Sequence, residues 1–203
     1  MNKQAELVQR MTDKELLLNL YVSQLIILTA AAVLSRWFFG DVLHFINLIE
    51  WSRADLTAGI FFALIVVCLQ LAMYQLLPSS WLDDGGINMR MFARRHPAHI
   101  VWLSVIVGFS EEVLFRAVLQ EQFGLVLASA AFALIHIRYL AKPVLFTTVV
   151  VLSFSLGLLY IYTGNLLTVI TAHIFIDMLL GFYIKSKHKS LHGRKEKWDA
   201  NGL

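Results

Sequence analysis

Charge is scarce in this chain. Only 15% of its 203 residues are Asp, Glu, Lys or Arg, 58% are hydrophobic, and the mean hydropathy is +0.67. A soluble domain carries about 25% charged and about 45–50% apolar residues, so a soluble core does not account for the excess. No polar stretch is long enough to build a separate soluble domain. Cysteine is nearly absent. Cys68 stands alone inside an apolar run, which excludes an intramolecular disulfide and suits a small packing residue. Proline occurs three times, at Pro78, Pro97 and Pro143, always at the edge of an apolar run, where a missing backbone N–H does least harm. There is no internal repeat and no low-complexity segment.

What is present is a series of apolar runs of about 20 residues, the length of a transmembrane helix. They cover residues 18–39, 56–77, 98–119, 124–140, 144–162 and 165–184, with Gly164 and Asn165 making a tight turn before the last. The fold expected is an all-α polytopic transmembrane helix bundle, one membrane domain over 1–203 with six spans. The patch LTAAAVLS in the first run imitates a signal-peptide cleavage site. Its polar lead-in is long and the apolar run continues past it, so the span is read as a retained helix.

The basic residues sort by side. With six spans, 14 of the 17 Lys and Arg residues fall on one face of the membrane: Lys3, Arg10 and Lys14; Arg90, Arg94 and Arg95; Arg138 and Lys142; and the tail from Lys185 to Lys197. Arg36 and Arg53 fall on the other, and Arg116 lies within a span. Positive charge stays cytoplasmic, which puts both termini in the cytoplasm. The charge patches read as topology, with the lipid bilayer as partner and no nucleic acid. The segments 1–15 and 87–96 mix apolar and basic residues and suit helices on the anionic inner leaflet.

Six ionisable residues lie inside the apolar runs, in three clusters: Glu111, Glu112 and Arg116; His136; and His173 with Asp177. A charged side chain at the bilayer centre costs roughly 2.5–3.5 kcal/mol on insertion scales, so these groups must be paired or wetted inside the bundle. Positions four apart share a helix face and adjacent positions diverge by about 100°. Glu112 and Arg116 are therefore neighbours, acid before base, while Glu111 points elsewhere and is free for other work. Phe132 lies four residues before His136, placed to pack beneath its ring. A histidine near a helix end is, by itself, more often an interfacial residue than a catalyst. His173 and Asp177, again four apart, suit an oriented imidazole, a metal ligand with its supporting acid, or a simple buried hydrogen bond. Confinement of these groups to spans three, four and six argues for one shared site.

In this order, Glu-Glu-x-x-x-Arg (Glu111, Glu112, Arg116), Phe-x-x-x-His (Phe132, His136) and His-x-x-x-Asp (His173, Asp177) resemble the three motifs of the CPBP family, also called Abi. These are intramembrane endopeptidases related to the CAAX prenyl protease. The resemblance covers a four-helix catalytic core over 98–184 and leaves the two N-terminal spans, 18–77, outside it. It implies a glutamate-dependent peptidase acting on a membrane-associated peptide or protein. Glu111 would be the general base on a water also held by His136, and His173 with Asp177 would steady the oxyanion. Glu112, Arg116 and Phe132 would support the site. The implied mechanism needs no metal or other cofactor; two Glu and two His leave zinc as the alternative, although no cluster is a His-Glu-x-x-His. Better-known relatives carry Asn at the last motif position. Here Asp177 either donates as a protonated acid or orients His173. A peptide-binding scaffold or bacteriocin-immunity protein is a second reading. A proton-coupled transporter is a third, disfavoured by the lack of inverted repeats.

Overall fold

A computed structural model describes residues 10–200, with side chains through residue 190. It is all-helical, with no strand among the described residues. Most of the surface helix expected over 1–15, with Lys3, lies outside the described residues, as do the side chains of Arg194, Lys195 and Lys197.

The helices are α1 (Asp13–Phe39), α2 (Arg53–Leu76), α3 (Ile87–Phe92), α4 (Pro97–Leu114), α5 (Glu121–Ile135), α6 (Pro143–Thr163) and α7 (Leu166–Ala200). Their ends follow local chemistry. Thr12 and Glu15 form a reciprocal capping box ahead of α1, and Ser52 caps α2 through the Asp55 N–H at 3.2 Å. Pro97 and Pro143 occupy the first turns of α4 and α6, and Gly164, at φ 63°, closes α6.

Among the described residues five helical stretches are long and apolar enough to cross a membrane, and the third, Pro97–Ile135, holds the third expected span and most of the fourth. The expected gap over 120–123 is helical. The chain turns instead at Gly124, whose φ of 79° and ψ of 174° belong to a region that only glycine enters at low cost. The turn is a reversal. Phe115 meets Phe132 edge-on at 4.9 Å between ring centroids, although 17 residues of straight helix would separate them by about 25 Å.

Beyond Gly124 only 11 residues are α-helical, about 16 Å of rise and half the hydrocarbon thickness. The span expected over 124–140 thus loses its α-helix at Ile135, and the 3-10 turn Ile137–Tyr139 carries it on. Irregular backbone at membrane depth is tolerated where protein covers it, and Tyr139 is buried. His136 therefore sits where the α-helix gives way to irregular backbone. The final helix, by contrast, runs past the expected residue 184 to Ala200.

Cross-contacts fix which loops share an end. Arg90 pairs with Asp13 at 2.8 Å and also meets the Met11 carbonyl, Lys142 approaches Asp83 at 3.9 Å, and Lys185 donates to the Arg95 carbonyl at 2.5 Å. All the described basic loops thus lie together. At the opposite end Asn165 donates to the Glu50 carbonyl at 2.8 Å and to Asp55 at 2.9 Å. Trp37, Trp51 and Tyr162 are exposed there, as interfacial aromatics are. The short α3, expected on the leaflet, docks Met91 against Leu16 and Leu103. The surface between the two ends is apolar, with Leu25, Leu69 and Ile161 exposed, and the polar groups are inside.

Candidate active site

Glycine sets the distance between α4 and α7. A Cβ added at Gly108 would fall 2.9 Å from Ile174 Cγ1 and 3.1 Å from its backbone nitrogen. That close approach, one turn before Glu111 and Glu112, lets carboxylates on α4 reach a histidine on α7. After Leu114 the helix widens into a π turn, Phe115–Gln120, with the Phe115 N–H shared between the carbonyls of Glu111 and Glu112. Such single widened turns re-aim side chains and are frequent at functional sites.

Arg116 is fully buried. Its Nε donates to Glu112 Oε2 at 3.0 Å, its Nη1 to Gln120 Oε1 at 3.3 Å and its Nη2 to Ser153 Oγ at 3.2 Å. Its guanidinium also lies 5.7 Å from the Phe132 ring centroid. A buried guanidinium must have its donors met, and three directions are covered by spans three and five. Glu112 Oε1 then accepts from His173 Nδ1–H at 2.8 Å. Glu112 thus bridges the buried cation and the imidazole, and its carboxylate fixes the ring of His173 as well as balancing Arg116.

With Nδ1 engaged, His173 turns Nε2 toward Glu111, at 4.0 Å, and toward Asp177, at 3.8 Å. Both gaps are beyond direct hydrogen bonding, at distances a bridging group spans. Side-chain exposure rises toward the basic end of the bundle: 0% for Glu112, 8% for Glu111, 5% for His173 and 30% for Asp177. The open side of the cluster therefore lies at Asp177.

His136 follows α5 directly. Its ring stacks on Phe132 at 4.8 Å and 28°, and Nδ1–H donates to the Phe132 carbonyl at 2.8 Å, which leaves a lone pair on Nε2. Phe132 also lies 6.3 Å from the His173 ring, so one aromatic separates and orients both imidazoles. The three clusters, 62 positions apart between Glu111 and His173, occupy one region of the bundle.

Among the described residues no three His, Cys, Asp or Glu side chains are grouped to hold a metal ion. Several polar partners escaped the sequence reading, which weighed ionisable groups only. Gln24, Ser110, Gln120 and Ser153 are all buried and hydrogen-bonded around the cluster. An amide such as Gln24 inside an apolar run was the available signal.

A family model described as type II CAAX prenyl endopeptidase Rce1-like matches residues 94–179. The chain is also 41% identical, over 183 residues, to a protein of Bacillus subtilis (strain 168) named "Uncharacterized protein YpbD"; the match covers 89% of this chain and 94% of that protein. The chain belongs to the Rce1-like CAAX endopeptidase family. It is accordingly a multi-pass membrane protein of a protease family. The matched residues of this family hold all three clusters and leave out α1 and α2. No solved structure matches the chain.

Proposed function

We propose that the protein is an intramembrane endopeptidase of a bacterial inner membrane, hydrolysing a peptide bond of a membrane-associated peptide or protein through a glutamate-activated water. The observation that carries this reading is a division of labour among carboxylates. Glu112 is consumed by Arg116 and His173, whereas Glu111, one residue away and also buried, meets no arginine and approaches His173 only to 4.0 Å.

In the proposed step Glu111 takes a proton from a water molecule as its oxygen attacks the carbonyl carbon. His136 Nε2 accepts from the same water and holds it. The electron pair displaced onto the carbonyl oxygen is met by His173, donating from Nε2 in its imidazolium form with Glu112 as counter-charge at Nδ1, and by Asp177 donating as an acid. Glu111 then passes its proton to the amide nitrogen, the C–N bond breaks, and the proton left on the attacking oxygen passes to the amine, so that a carboxylate and an ammonium leave. The step uses no metal. The core over 98–184 would bear these groups, and substrate would enter from the basic, cytoplasmic end, toward which the half-buried Asp177 lies.

The test is peptidomics of membranes from cells grown in heavy-oxygen water, comparing wild type with Glu111→Gln at equal protein level. New peptides carrying heavy oxygen at one C-terminus are expected in wild type only, and they should persist under exhaustive chelation. Identical peptides from both strains would remove Glu111 as the base and leave a binding scaffold. Loss on chelation, reversed by zinc, would overturn the metal-free chemistry.

A further inference from the structure

An apolar cavity of about 160 Å³ lies between α1, the loop that follows it and the π turn. Its inner wall is made by Ala31, Val113 and Val118, all buried. Its rim includes Val42 and Leu43, which are 45% and 52% exposed, so the cavity opens on the surface of the bundle. Ser35 supplies the one hydroxyl among the lining side chains, and it is spent on the Asp41 carbonyl at 2.7 Å. No lining side chain is left to hold a water. Apolar cavities of about 150 Å³ stay dry and take a small hydrocarbon such as benzene. In a bilayer the hydrocarbon at the mouth is lipid, and a chain that enters supplies the dispersion contacts the walls otherwise lack.

A cation stands above the same cavity. Arg36 lies at the end opposite the basic loops, where positive charge is sparse, and its place there calls for a reason. Its Nη1 donates to the Gly40 carbonyl at 3.0 Å, which caps α1 and uses one N–H of the guanidinium fork. The remaining donors meet no carboxylate at ion-pair distance among the described residues. Asp41, close by in sequence, turns its carboxylate to the Leu43 N–H at 2.9 Å instead. Leu28 and Ala32 line the cavity, and Arg36 continues their edge of α1 at the same four-residue step.

We propose that the cavity and Arg36 form a site for one anionic phospholipid, with an acyl chain in the cavity and the phosphate on the guanidinium. The lengths agree. Leu28 to Arg36 rises about 12 Å along the helix, and one leaflet of hydrocarbon is about 15 Å deep. A chain whose far end lies at Leu28 therefore carries its headgroup level with Arg36, where the exposed Trp37 marks the interface. The bound chain packs α1, which lies outside the residues matched to the family, against Val113, the neighbour of Glu112. The site stands apart from the reading of Glu111 as the base.

The probe is a phosphatidylglycerol with a diazirine in the far half of one acyl chain, photolysed with the full chain in phosphatidylcholine liposomes. Peptide mass spectrometry should find adducts on residues 28–35 and at Val113 well above those on Phe61 and Leu69, which are lipid-facing positions of α2. Arg36→Gln should lower the yield at the site about fivefold, the order for one basic residue facing an anionic headgroup, and Arg36→Lys should restore it. Ala32→Leu fills the cavity and should remove the Val113 adduct while leaving those on α2. If that variant fails to fold, the two Arg36 variants decide. Glycerol phosphate, a headgroup without chains, should not compete; loss of labelling in its presence would make this an anion site and overturn the proposal. Adducts spread evenly over α1 and α2, and indifferent to Arg36→Gln, would also overturn it, leaving an ordinary lipid neighbour and Arg36 as a helix cap.

Discussion

Glu112 works through two oxygens at once, Oε2 on Arg116 and Oε1 on His173. Glu112→Gln must present an amide NH2 to one of two donors, leaving Arg116 or His173 without an acceptor in a site with no exposed surface. Breaking a buried pair typically costs about 3–5 kcal/mol, so a lowered melting temperature is expected. Activity per folded molecule should fall too, because the His173 ring loses its anchor. Wild-type melting and turnover in this variant would contradict both roles. Asp177 is freer: Glu112 already holds the ring nitrogen that an orienting acid would hold, and Asp177 faces Nε2 from the open side. Asp177→Asn, an amide that donates at every pH, should therefore retain turnover. Asp177→Ala should lose roughly 10²–10³-fold, as removal of an oxyanion donor does. Turnover of one peptide by the two variants decides the matter; an inactive Asn variant would refute donation.

Helix contacts at glycine govern the elements. A Cβ at Gly59 would come within 2.5 Å of the Thr168 carbonyl oxygen, a backbone atom that cannot swing aside, where α2 crosses α7. Gly59→Ala is expected to destabilise the bundle by about 1–3 kcal/mol, as overpacking does, read as a lower melting temperature in detergent. An unchanged melting curve would mean that the crossing is looser than the contact implies. The helices themselves were legible in the sequence, since a run of about 20 apolar residues and a proline or glycine at its edge are local signals. The reversal at Gly124 is not legible locally, because Glu121 to Phe123 carry no breaker and the glycine stands at the head of the next apolar run. The early end of α5 at Ile135 was equally hidden: residues up to Leu140 are apolar enough to continue, and only packing around Tyr139 permits the irregular backbone.

At the scale of the whole molecule the basic loops gather at one end and the exposed aromatics Trp37, Trp51 and Tyr162 at the other. If that basic end is cytoplasmic, a cysteine at Lys189 should be shielded from a membrane-impermeant maleimide in intact spheroplasts, and one at Trp51 should react. The background is Cys68→Ala, which removes the native thiol, and permeabilisation should expose Lys189→Cys. The reverse labelling pattern would invert the orientation and place the open side of the cluster outside the cell.

Composition and order alone determined that this is an all-helical membrane protein and which residues on a single helix face one another, because hydropathy and a 3.6-residue repeat act within one segment. The pairs Glu112–Arg116 and Phe132–His136 are of that kind. What joins segments was decided by tertiary structure. Glu112 to His173, Arg116 to Ser153 and Gln24 to Ser110 each cross from one helix to another, and each depends on how closely and at what rotation the helices meet. That meeting is set by small contacts such as Gly108 against Ile174 and by the turn at Gly124, whose consequences for distant side chains no local pattern encodes.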